Sequence, residues 1–262
     1  MFDAGSIVRP VAKKTRTPPP PRRPGAPPAK GSASARPSVD DRRRRQITLG
    51  LAAVGLVAVV AIALVVVLSR RSTSAGASAA SAAKTLAAAG CTFQSVKPLP
   101  PTHPNVASGY HADVPTLTSK AKWSTDPPSA GAHYQLWAVW NFYTAPVLPV
   151  QAVHNEEHGG IVIWWGSKVA KSEVDKLAAF YQSSPDGMLG TPYPKLGDKI
   201  ALTAWNGDPA RYYQKGYYGV GKIAVCPRFN EKAFTAFRDA FRGHGPEGIP
   251  LSADTPGHGP NG

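Results

Sequence analysis

The sequence predicts an α+β fold: a single compact extracytoplasmic sandwich domain after one N-terminal transmembrane helix. Three observations carry this reading. Residues 47–68, "ITLGLAAVGLVAVVAIALVVVL", contain neither a charge nor a proline over 22 positions. The residues before them are strongly basic. Those after them alternate short apolar runs with amphipathic stretches and include the chain's two cysteines.

At about 1.5 Å per residue the apolar run covers the ~30 Å hydrocarbon core of a bilayer. A helix apolar on every side for that length suits lipid better than a protein core. The run is longer than the roughly 7–15 residues of a cleaved signal, and 46 residues precede it, so it is read as an uncleaved signal-anchor. Residues 1–46 hold twelve lysines and arginines against three acids, among them Arg42, Arg43, Arg44 and Arg45. Positive charge is retained inside, so the N-terminus is expected in the cytoplasm and the C-terminal domain outside the cell membrane, with a single pass between them.

The net charge of +14 does not indicate nucleic acid. The N-terminal tail supplies +9 of it and Arg70 with Arg71 another +2, which leaves +3 over the last 191 residues. A nucleic-acid binder needs its cations on the folded domain, where they displace counterions from phosphates. Here they are expected to contact anionic lipid near Arg42, Arg43, Arg44 and Arg45. The tail 1–46, with "TPPPPRRPGAPP", has too little apolar surface to fold and is expected to be disordered. Residues 69–90 read as an Ala/Ser-rich linker or partly helical stalk.

The domain itself is expected over 91–250, with 251–262 a disordered tail. Cys91 and Cys226 are the only cysteines, and in an oxidising compartment they are read as a disulfide. Two reduced thiols are the alternative. Cys91 also follows a lipoprotein-like "LAAAG", but 22 residues and two arginines separate it from the apolar run. Residues 92–135 are rich in proline and glycine and predict loops with short strands. "YQLWAVWNFY" (134–143), "IVIWW" (161–165), "IALTAW" (200–205) and "KIAVC" (222–226) read as strands. Ser172, with Asp175 three residues on, predicts a capped helix whose apolar stripe is Val174, Leu177, Ala178 and Tyr181. Asn230 predicts the cap of a last helix that buries Phe234, Phe237 and Phe241 and stops at Gly243.

The chemistry concentrates in "HNEEHGG" (154–160). On a helix, His154 and His158 lie four apart on one face and can reach one ion. The H-x-x-E-H spacing also matches a metalloprotease motif with Glu157 as base. The helix is too short, however, and no second helix offers the third ligand. His111 and His133 are the candidates to complete a metal site, with His103 a weaker one. Nitrogen and oxygen donors suit Zn²⁺ or Cu²⁺, whereas Cu⁺ prefers sulfur, and the only methionines are Met1 and Met188. Glu247, in "GHGPEG", is read mainly as part of a helix stop.

Pro127, Pro128, Gly131 and His133, then His154, Glu157, His158 and Gly159, then Trp205, then Pro246 and Glu247, come in an order that resembles one family. It is the domain of unknown function three-one-zero-five of bacterial membrane-anchored proteins, and the resemblance covers roughly residues 105–248. That family has a serine before the motif glycine. Here Ala130 stands there, with Ser129 one earlier, so no catalytic serine is expected. The resemblance implies an architecture and no reaction.

Three functional readings follow. The first is a histidine-based transition-metal-binding module using His154, His158, His133 and His111. The second is a metal-dependent hydrolase with Glu157 as general base. The third is a non-catalytic envelope scaffold whose contacts include an exposed Trp123. A binding role is favoured over an enzymatic one, and any protein partner is left open.

Overall fold

A five-stranded mixed sheet, seen in a computed structural model, carries helices on both faces. Residues 78–103, 109–212 and 214–260 are described. The tail 1–46, the predicted span 47–68 and the lipid contact at Arg42–Arg45 lie outside them. Among the described residues no helix is long and apolar enough to cross a membrane.

The sheet comprises β1 (Thr92–Val96), β2 (Ile161–Trp165), β3 (Met188–Pro192), β4 (Ile200–Asn206) and β5 (Val220–Cys226). They are ordered β1-β5-β4-β2-β3, with only β2 and β3 parallel. The helices are α1 (78–88), the single turn α2 (Gly109–Ala112), α3 (Pro149–Glu157), α4 (Lys171–Ser183) and α5 (Glu231–Phe241). The α4 crossover joins the parallel pair, as such a connection requires.

β2 and β4 are apolar on both faces because both faces are covered. Ile161, Ile163, Trp165, Ile200 and Leu202 pack with Leu177 of α4 and the phenylalanines of α5. Val162, Trp164 and Ala201 point the other way, into a core with Trp140 and Ala152 of α3. α3 therefore lies against the face opposite α4 and α5, and its residues Ala152–Glu157 are all buried.

Several expectations need correction. Residues 134–143 form no strand; Phe142 makes one isolated bridge to Gly190. Their backbone groups find other partners: Asn155 bonds both the N–H and the C=O of Ala138, and Trp140 N–H donates to His258 C=O. β3 escaped the sequence reading because Gly190 and Pro192 weaken a strand pattern. Gly190 is needed there, since a Cβ would run into the Phe142 ring. α4 begins after Ala170, whose methyl cannot cap it; Ser172 lies inside the helix, and Asp175 pairs with Lys171. Its stripe buries Leu177, Phe180 and Tyr181, while Val174 and Ala178 stay partly exposed. Asn230 does cap α5, accepting from the Ala233 N–H. Trp123 is half-buried and donates to Ala132 C=O, which removes it as an exposed contact.

The core also outruns 91–250 at both ends. Ala82 and Leu86 of α1 sit in it, within the stretch expected to be a linker or partly helical stalk. Residues 251–260 do not fray: Asp254 is buried, and its Oδ1 accepts from Trp140 Nε1 at 3.1 Å.

Candidate metal centre

The end of α3 presents the site. Pro149 opens the helix, where its missing N–H costs nothing. Gly159, at φ 108°, closes it, and the Gly160 N–H returns to Asn155 C=O. A glycine is required at 159 by that left-handed backbone. It is required at 160 by Trp140, whose ring occupies the space a Cβ would take. The loop 243–248 is held against this turn by Gly243 N–H to Gly159 C=O at 2.8 Å and Glu247 N–H to Glu157 C=O at 3.4 Å. That contact delivers Glu247.

Four groups converge above α3. His111 comes from α2, His133 from the loop after the two prolines, and His154 and Glu157 from α3 itself. One ligand atom from each lies within 4.8 Å of every other, so the four can hold a metal ion. Around a tetrahedral zinc, donors stand about 3.4 Å apart, so small side-chain rotations would close the cluster. His133 is fully buried; His154 and Glu157 are nearly so. His158 belongs to a second group with His154 and Glu247. His103 joins neither and pairs with Asp113 at 2.8 Å.

The hydrogen bonds fix which nitrogen faces inward. His133 Nδ1 donates to Gly131 C=O at 2.7 Å, and His154 Nδ1 donates to Tyr134 C=O at 2.8 Å. His158 Nδ1 lies 3.1 Å from Asp254 Oδ1. A carbonyl can only accept, so Nδ1 carries the proton and Nε2 is turned to the cluster. Metal-binding histidines are usually held this way. Inside, His133 Nε2 lies 2.9 Å and His111 Nε2 3.8 Å from Glu157 Oε2. His111 Nε2, His133 Nε2 and Glu157 Oε2 are buried without a hydrogen bond of good geometry.

Burial pushes the His111 pKa down to about 4, helped by the His133 charge and opposed by Glu157. Burial, again reinforced by His133, takes His154 down to about 3. Burial also acts on His133, but the Glu157 carboxylate outweighs it and holds His133 above the ordinary range. Glu157 is pushed up by burial yet ends at about 2, because His133 foremost stabilises its charge. Glu156, the other motif acid, lies against Thr203 instead, and burial raises its carboxyl well above the usual range.

Of the six residues singled out in sequence, His111, His133, His154 and Glu157 meet in one group and His158 adjoins it, while His103 lies apart. Cys91 and Cys226 are joined by a disulfide between the start of β1 and the end of β5. Sequence reasoning missed Tyr212, whose hydroxyl lies 3.2 Å from Glu157 Oε1 and 3.4 Å from Glu247 Oε1. It also missed Asp254, and Trp137, whose ring packs 4.7 Å from that of His158. None of the three sits in a spacing that marks it.

A family model described as "Protein of unknown function (DUF3105)" matches residues 116–249. The match takes in His133, His154, Glu157, His158 and Glu247, while His111 and Asp254 fall just outside it. No curated protein and no solved structure matches the chain.

Proposed function

We propose that this chain, which belongs to the DUF3105 family of proteins of unknown function, is a membrane-anchored metal-binding module outside the cytoplasm. Its ion is Zn²⁺ or Cu²⁺, held by His111, His133, His154 and Glu157. One observation carries the reading: buried imidazole nitrogens and a carboxylate oxygen converge to within 4.8 Å of one another, while the Nδ1 atoms of His133 and His154 are tied to carbonyls and leave Nε2 facing the cluster. In the metal-free protein His133 and Glu157 can satisfy each other, but buried His111 Nε2 has no partner closer than 3.8 Å among the described residues, and a cation would engage all of these donors together. Three nitrogens and one carboxylate form a donor set suited to zinc or copper(II). Export is supported by the apolar run 47–68 with its basic flank and by the disulfide.

Glu157 Oε2 faces His133 and His111, which is a ligand's position, so we assign Glu157 to the ion and not to a general base. The test is elemental analysis of the full chain, purified untagged in detergent, stripped with chelator and reloaded with zinc or copper(II). At least one ion per chain is expected, with less metal retained in His133→Ala and in His154→Ala. Less than about a tenth of an ion per chain after loading would overturn the reading.

A further inference from the structure

One ion in the four-residue group leaves part of the pocket unexplained. His158 Nε2 lies 3.4 Å from Glu247 Oε2, and the second group of potential ligands is His154, His158 and Glu247. His154 appears in both groups, but its Nδ1 is committed to Tyr134 C=O, so it has one nitrogen to give. The ring centroids of His154 stand 5.0 Å from those of both His133 and His158, placing it between the two halves.

We infer that the centre holds two divalent transition-metal ions, one on His111, His133 and Glu157 and the other on His154, His158 and Glu247. The inference rests on the metal-binding reading above and extends it, with His154 passing from the first ion to the second. Each ion then has two imidazoles and one carboxylate, and His154 serves only one of them. The two halves match in detail. Each carboxylate turns Oε1 to the shared Tyr212 hydroxyl, at 3.2 and 3.4 Å, and Oε2 to a histidine Nε2, at 2.9 and 3.4 Å. Behind His158, the buried Asp254 holds Nδ1 and so aims Nε2 at the second position.

Charge points the same way. Three carboxylates, Glu157, Glu247 and Asp254, gather here, and the ion-pair partners found for them among the described residues are all histidines. One divalent ion leaves that negative charge undercompensated once the histidines act as neutral ligands. Two ions offset it, as paired ions do in two-metal sites. His111 and Glu247 side chains are each 23% exposed, so both halves have a path to solvent.

The experiment is a saturation titration of the chelator-stripped full chain in detergent with Zn²⁺, read by native mass spectrometry and elemental analysis. It is repeated on Glu247→Gln and His158→Ala. Two ions per chain are expected for the parent and one for each variant. One ion in the parent, or two retained in both variants, overturns the two-ion centre while leaving the metal-binding reading intact. No ion in the parent overturns both. Glu247 sits on a partly exposed loop, and near-UV circular dichroism of the glutamine variant checks that it folds. The parent's stoichiometry decides the question even if His158→Ala does not fold.

Discussion

His111 and His154 are neutral imidazoles at neutral pH because burial and the charge on His133 keep protons off them, and neutral imidazole is the form that binds a metal. The unfolded chain would protonate both near pH 6.5, whereas the folded protein resists until about pH 4 and about pH 3. Between those limits the unfolded state takes up more protons, so stability falls as pH falls. Glu157 adds to this below about 4.5, since its depressed folded value means its contribution is lost on acidification. His133, raised by Glu157, acts in the opposite sense: its contribution is complete below the unfolded value and declines as pH rises through the folded one. The buried Glu156 carboxyl, raised on folding, also gains stability on acidification, so the clean reading is in Glu156→Gln: there the metal-free protein should melt at a lower temperature at pH 5 than at pH 7 by scanning calorimetry. A higher melting point at pH 5 would contradict the account. Asp254 gives a second, narrower expectation. Its Oδ1 accepts from both Trp140 Nε1 and His158 Nδ1, so Asp254→Asn can keep both bonds while losing the charge. Mutation of such an outer partner typically costs about 10–100-fold in metal affinity, and with the charge gone a drop toward the lower end of that range is expected by calorimetric titration.

At the scale of elements, the site depends on how abruptly α3 gives way to β2. Two glycines manage that turn, and Trp140 closes over the second. Gly160→Ala would drive a methyl into the Trp140 ring and toward Asn155 C=O. Overpacking of this kind costs about 1–3 kcal/mol. Because Trp140 shares Asp254 with His158, the same change should also weaken metal binding. Asn230→Ala is the control: losing the α5 cap costs about 1 kcal/mol and should leave metal binding unchanged. Urea unfolding with a parallel metal titration separates the two. Legibility followed the same local logic. β2, β4, β5 and α5 are readable because their apolar runs or caps are uninterrupted, and α3 because its two histidines share a helical face and two glycines stop it. β3 was not, since the glycine and proline that fit it to Phe142 and the sheet edge are residues that disfavour a strand. Residues 134–143 misled in the other direction. Their aromatic content signals burial, and Trp140 is indeed fully buried, but side-chain and tail groups satisfy their backbone where a strand would pair.

Across the whole described molecule, the features least visible in sequence are those that join distant segments. Residue type points to His111 and His133 as companions of the α3 motif, and the family resemblance adds weight to His133, but nothing in the sequence indicates the turn that carries His111. Asp254 could not be foreseen, because a Pro- and Gly-rich end looks like a frayed one until its backbone partners are known. Those partners are specific: Gly257 N–H donates to Trp140 C=O, Trp140 N–H to His258 C=O, and Gly187 N–H to Asp254 C=O, at 2.7–3.0 Å. The chain end thus closes over the loop that carries Trp140 and over the start of β3, while the disulfide ties β1 to β5 across 135 residues of sequence. The two devices should fail differently. Cross-linking a loop of that length restricts the unfolded chain, so Cys91→Ser with Cys226→Ser should cost about 2–5 kcal/mol while leaving the folded site and its metal affinity in place. Ending the chain after Pro250 removes Asp254 itself, unpairs Trp140 in the core and uncovers His158. Metal affinity should then fall further than in Asp254→Asn, together with the melting temperature. Equal metal affinity in the truncated and full chains would mean that the tail only covers the core and takes no part in the centre.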